Sequence, residues 1–216
     1  YNPAEIEKYV RKWFILSILT ERYSGSSESQ FDDDIKAINS KNFGDFLKET
    51  EDAELSDAFW NVALVQKLES TSSNSPYFNV YLASQIKEND KGFLSKDISV
   101  KELIENKGDV HHIFPKEYLK ANKKRRGDYN QIANYVLMQS EINIALGKKS
   151  PKQYFKDILE QCETGKLKYG AIHKISELKK NLEINCIPES IFDLEVDNYE
   201  QFLIERRILI AQKIKN

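Results

Sequence analysis

From Asn2 onward apolar side chains return every three or four residues, and this spacing constrains the chain more than any other feature. Ile6, Tyr9, Val10, Trp13 and Phe14 form one stripe, the pattern of a helix that buries one face. Asn2 can cap and Pro3 can open that helix, which should stop near RYSGSS, where Gly25 and the serines break the period. Ser27 and Gln30 fit a capping box ahead of Phe31, Ile35 and Ile38. A third stripe follows Ser56 (Phe59, Trp60, Val62, Ala63, Leu64), and a fourth follows Ser75 and Pro76 (Phe78, Tyr81, Leu82, Ile86). After residue 150 the period returns. Ser150 and Pro151 start a helix, another covers roughly 166–182, and Asp197 with Glu200 caps a last one rich in Phe202, Leu203, Ile208, Leu209 and Ile210. Such stripes read as core. The run STSSNS at 70–75 reads as a loop, too short for a domain linker.

Between residues 108 and 147 the texture changes. Val110–Phe114 and Tyr135–Met138 are short, apolar and β-prone, and Ser140–Leu146 resumes helical spacing. The expected fold is therefore mainly α, a helical domain with a small ββα motif embedded in it. The expected organisation is a helical lead-in over 1–107, a ββα core over 108–160, and C-terminal helices over 161–216 packing on the same domain.

No apolar run approaches the ~18 to 20 residues of a membrane span. The chain starts with tyrosine and shows no signal peptide, so it reads as a piece of a longer cytoplasmic protein. Cys162 and Cys186 show neither metal-ligand nor disulfide spacing, which suits a reducing compartment. Cys162 shares a helical stripe with Tyr154, Phe155, Ile158 and Leu159, so it reads as a buried thiol. The net charge is -2, yet from Lys116 to Lys152 nine basic residues face three acidic ones, leaving the remainder at -8. That concentration, KKRR at 123–126 above all, reads as an electrostatic footprint for phosphates or as a solvated loop.

Only three histidines occur, and two are adjacent: His111 and His112, in DVHHIFPKEYLK. A half-buried pair on a strand is a common structural accident. Asn134 in IANYVLM and Asn143 in SEINIALGKK, however, complete the residue set of a one-metal phosphodiesterase. Hydrolysis of a phosphodiester needs a base for the attacking water and positive charge at the departing oxygen. An imidazole titrates near neutrality and suits the first task. A divalent cation held by two or three protein ligands suits the second. His112 is the expected base, His111 and Asn143 the expected metal ligands, and Asn134 the amide that bridges loop to strand and orients the base. Neighbours on a regular strand face opposite ways, so the strand must end or bend near Pro115. Otherwise Asp109 pairs with His111 as the site.

HHIFPKEYL, IANYVLM and EINIALGKKSPKQYF together resemble the HNH (ββα-metal, His-Me finger) nuclease module, in the form found at the C-terminus of GmrSD-type restriction endonucleases. RYSGSSESQFDDDI and SSNSPYFNVYLASQ resemble the helical lead-in of such proteins. The resemblance covers roughly residues 10–155. It implies His111 and Asn143 as metal ligands, His112 as general base, Asn134 as orienting residue and Lys149 as a phosphate contact. Together with Lys123, Lys124, Arg125, Arg126 and Lys148, Lys149 makes the expected DNA-binding set. Many members carry Asp or Glu where His111 stands. An imidazole is a poorer ligand for hard Mg²⁺ than a carboxylate, so the ion, Mg²⁺ or Mn²⁺ in the family, tilts toward Mn²⁺, Ni²⁺ or Zn²⁺.

The resemblance further implies double-stranded DNA, including modified phage DNA, as partner. It also implies an upstream nucleotide-using domain bearing a DGQQR motif, a string absent from this chain. The implied activity is a metal-dependent endonuclease or nickase of phage defence. The competing expectation is a non-catalytic helical module that keeps the ββα scaffold and binds DNA or a partner. His173, in YGAIHKIS, is expected to be structural.

Overall fold

A computed structural model describes residues 2–106 and 108–216. It is mainly helical with one small two-stranded antiparallel sheet, and it divides into two compact units, Tyr1–Gln66 and Lys67–Asn216. Residues 67–106, grouped above with the helical lead-in, thus fold in the unit that holds the ββα segment and the C-terminal helices.

The first unit contains α1 (Pro3–Leu19), α2 (Ser27–Ser40) and α3 (Phe43–Glu54), followed by a π-helical turn (Phe59–Ala63) leading into α4 (Leu64–Lys67). Asn2 caps α1 as its sequence suggests, in a reciprocal box with Glu5. The box expected at Ser27 and Gln30 does not form: Ser26 precedes α2 without a side-chain cap, and the Gln30 amide donates instead to Asp34 (3.1 Å). Asp34 is buried, and it also accepts from Arg22 Nε (2.8 Å) and Tyr23 OH (2.8 Å). The RYSGSS turn therefore spends its arginine and tyrosine on an internal carboxylate. Trp13 packs on Phe46 at 5.0 Å between ring centroids, locking α1 to α3.

The second unit continues with α5 (Pro76–Lys87), α6 (Val100–Glu105), β1 (Val110–His112), α7 (Lys116–Ala121) and α8 (Arg126–Tyr129). A 3₁₀ turn (Ile132–Asn134) leads into β2 (Tyr135–Leu137), then α9 (Ser140–Leu146), α10 (Pro151–Thr164), α11 (Ile175–Ile184) and α12 (Tyr199–Lys215). The core collects Phe93, Ile113, Phe114 and Val136 with Ile142, Tyr154, Phe155 and Phe202, so β2 is buried while β1 stays half-buried. Ser150 caps α10 in a reciprocal box with Gln153. The helix expected over 166–182 begins only at Ile175. Gly165 ends α10 in the left-handed region. Gly170 adopts φ +59°, where an added Cβ would lie 2.7 Å from the Leu94 carbonyl. His173 lies ahead of α11, with Nδ1 3.1 Å from the Ala171 carbonyl. Both cysteines are free, Cys186 buried and Cys162 half-buried against the core.

With so little sheet, much irregular backbone lies in the interior and must find partners. Buried carboxamides supply them. Asn181 accepts from Leu94 N (2.8 Å) and donates to the carbonyls of Gly92 (3.0 Å) and Ser95 (3.1 Å). Gln161 accepts from Lys168 N (2.6 Å) and Tyr169 N (2.8 Å) while donating to the Tyr169 carbonyl (3.1 Å). Arg206, with 0% exposure, donates from α12 to the carbonyls of Ala133 (2.9 Å), Tyr135 (2.8 Å) and Asn185 (3.1 Å). It thereby fixes the entry into β2.

Candidate active site

β1 and β2 pair in regular antiparallel register, Val110 with Leu137, His111 with Val136 and His112 with Tyr135. The pleat alone would give His111 the face of Val136 and His112 that of Tyr135. The strand ends at His112, however, and the chain turns through Ile113 and Phe114 to Pro115, which precedes α7. Both histidines border one open cleft of about 1090 Å³, which Asn143 borders from α9. The sequence-distant set His111, His112 and Asn143 is thus brought together.

His111 is half-buried, and its Nε2 is buried without a hydrogen-bond partner. His112 stands edge-on to Tyr135 (5.3 Å between centroids) and Tyr129 (6.2 Å), and its Nε2 lies 3.1 Å from Asn130 Oδ1. Burial pushes the pKa of both imidazoles below the ordinary histidine value. Asp109 opposes that shift at His111; at His112 the Asn130 contact opposes it while Lys116 and His111 reinforce it. The shift favours the neutral imidazole, the state in which one ring can ligate a metal and the other can accept a proton.

Asn134 is fully buried and does not border the cleft. Its amide donates to the carbonyls of Tyr129 (3.0 Å) and Phe114 (3.2 Å) and accepts from Phe114 N (2.8 Å). It bridges loop to strand, and the side chain that touches His112 is Asn130.

The six expected DNA-binding cations separate. Lys148 borders the cleft. Lys123, Arg125 and Arg126 are exposed. Lys124 pairs with Glu200 (2.7 Å). Lys149 turns inward to Asp157 (2.6 Å) and Tyr169 OH (2.6 Å), contacts that raise its pKa well above the lysine norm.

Asp109, the alternative partner of His111, borders the cleft as well, and the structure adds Lys116 and Ser73. Lys116 follows Pro115 directly and is legible as part of the basic stretch. Ser73 comes from the STSSNS loop, which is tied to the β2 entry by Ile132 N to the Ser70 carbonyl (2.9 Å) and Tyr135 OH to the Thr71 carbonyl (2.8 Å). No pattern in the sequence announces that approach.

Among the described residues no group of three or more His, Cys, Asp or Glu side chains is placed to hold a metal. Beside His112, the side chains bordering the cleft that could ligate a cation are His111, Asn143, Asp109 and Glu117, the last already paired with Lys120. Such a sparse set fits a cation whose remaining positions are filled by water and phosphate oxygens.

No family model matches the chain, and no solved structure matches it. It is similar to the uncharacterized protein MJ0686 of Methanocaldococcus jannaschii, 29% identical over 221 aligned positions that cover 95% of this chain and 36% of the relative. The chain therefore spans about a third of the length of that relative. No helix among the described residues is long and apolar enough to cross a membrane.

Proposed function

We propose that this chain carries a metal-dependent DNA endonuclease centre of the HNH type. The observation that supports the reading most is the meeting of His111, His112 and Asn143 at one cleft that Lys116 and Lys148 also border. A strand end and a helix deliver these side chains from positions 111 to 143, in the order that the HNH resemblance implies.

In this reading Lys116 and Lys148 draw the DNA backbone to the cleft by charge. A divalent cation there would be held by the His111 imidazole and the Asn143 carboxamide, with Asp109 as a further oxygen donor bordering the same cleft. When bound, that cation supplies the positive charge that stabilises the departing oxygen. His112 takes the proton of the attacking water. The water oxygen bonds to phosphorus, the P–O3′ bond breaks with its electron pair on the 3′ oxygen, and solvent protonates that oxygen. The products are a 5′-phosphate and a 3′-hydroxyl. Asn134 and Arg206 keep the β1–β2 frame in place without touching substrate.

The wider role that fits is cytoplasmic phage defence by restriction of modified DNA, with target choice supplied by a nucleotide-using domain outside this chain.

The test is nicking of supercoiled plasmid by the purified chain in Mn²⁺, in Mg²⁺ and in EDTA. Nicking should need the cation, and His112→Ala should reduce it by about 10²- to 10⁴-fold, the span of a lost general base, with an unchanged circular-dichroism spectrum. DNA binding without nicking in any divalent ion would leave the non-catalytic module as the better account.

A further inference from the structure

We infer that Asn130 is the positioning residue of His112: it holds the imidazole proton on Nε2 and so leaves Nδ1 as the atom that accepts a proton. The inference extends the nuclease reading above, but its geometry stands apart from it.

A neutral imidazole carries one N–H donor and one acceptor nitrogen, and the partner of either nitrogen decides the tautomer. The atom of Asn130 that faces His112 Nε2, at 3.1 Å, is the side-chain oxygen Oδ1. A carboxamide oxygen only accepts, so Nε2 must donate. The lone pair then resides on Nδ1.

Asn130 is well placed for this task. It follows α8, and its N–H is bonded to the Arg126 carbonyl (3.0 Å). The preceding carbonyl, of Tyr129, is held by Asn134 (3.0 Å), and two residues later Ile132 N is held by Ser70 (2.9 Å). The ring it faces is fenced by Tyr135 and Tyr129. Backbone bonds on both sides of Asn130 thus aim a single acceptor at a ring that has little room to turn. Asn134, the carboxamide that the sequence favours for the role, spends its amide on three backbone groups.

The test reads the tautomer directly. In ¹⁵N-histidine-labelled chain, free of metal and DNA, long-range ¹H–¹⁵N correlation well above the imidazole titration range should show His112 with Nε2 protonated and Nδ1 bare. The resonance is assigned by its loss in His112→Gln. Asn130→Asp keeps an oxygen acceptor and should keep that tautomer. Asn130→Ala removes the acceptor and should yield mixed or Nδ1-protonated forms, with melting temperature and circular dichroism recorded to establish that the fold persists. In the nicking assay Asn130→Ala should lower kcat about 10- to 100-fold, the cost of losing a partner that orients a functional imidazole, with KM little changed, and Asn130→Asp should restore much of it. A wild-type proton on Nδ1, or a tautomer indifferent to Asn130→Ala, would overturn the inference. The expected tautomers in a chain that never nicks DNA would uphold the positioning and remove the nuclease reading alone.

Discussion

Arg206 and Tyr135 meet in the interior of the second unit: the guanidinium, wholly excluded from solvent, donates to the Tyr135 carbonyl at 2.8 Å. The same group reaches the carbonyls of Ala133 and Asn185, so one side chain of α12 serves three backbone oxygens. Arg206→Met, which keeps most of the volume and removes the donors, should cost about 3 kcal/mol or more, because each buried acceptor left alone costs about 1 to 3 kcal/mol. Urea denaturation of the two proteins measures it. A cost below about 1 kcal/mol would mean that these bonds contribute little.

Asn134 and His112 should separate stability from activity. Asn134→Ala strands Phe114 N and the Tyr129 carbonyl, bonded at 2.8 and 3.0 Å, and should cost about 2 to 4 kcal/mol. His112→Ala should leave the melting temperature within a few degrees while lowering nicking by the roughly 10²- to 10⁴-fold span of a lost general base. A melt of each variant beside its plasmid assay decides between the two roles.

The Asp157 carboxylate predicts acid sensitivity. Burial alone would raise its pKa, but hydrogen bonds from Lys149, Lys168 and Tyr169 prevail and hold it well below the usual carboxylate range. A carboxylate depressed on folding adds stability that is fully present above its unfolded pKa and is lost as pH falls through the folded one. The loss therefore falls below about pH 4. Asp157→Asn should be less stable than wild type at neutral pH, and the gap should narrow in acid. Thermal melts across that range would reveal a constant gap if the ion pairs contribute nothing.

The basic residues should differ in what they do to DNA. Lys123, Arg125 and Arg126 are exposed, and each replacement by alanine should lower the slope of log K against log salt by up to about 0.9 for every phosphate that is no longer neutralised, whatever the DNA sequence. Lys149→Ala should instead lower stability, since its ammonium is bonded to Asp157 and Tyr169. Fluorescence anisotropy over a salt series discriminates these outcomes, and an unchanged slope in the triple variant would make the loop a bystander.

The long amphipathic helices are legible in the sequence because two or more turns of periodicity identify a buried face: α1, α5, α10 and α12 begin within a few residues of their expected starts. Short helices are not. α7 and α8, of 6 and 4 residues, lie within the stretch KEYLKANKKRRGDY, whose charge masks the single buried Leu119 and Tyr129. α3 is hidden because its apolar residues, Phe43, Phe46 and Leu47, are confined to its first turns. Over 166–174 the apolar spacing suggests a helix, but the buried Gln161 amide and the left-handed Gly170 hold the chain in another path. His111, His112 and Asn143 can be chosen because each stands in a local string with its own chemistry. Asn130 cannot, since its approach to His112 depends on how the chain closes across a separation of 18 residues.

The carboxamides that stitch the irregular spans have a kinetic consequence. Phe114 N and Leu94 N, bonded to Asn134 and Asn181, and Lys168 N and Tyr169 N, bonded to Gln161, lie outside helix and strand alike. In deuterated water these protons should nevertheless be released only when the unit opens as a whole. A map of exchange rates would then trace the frame of the cleft through its loops, where an eye trained on ribbons would expect the fastest signals to vanish.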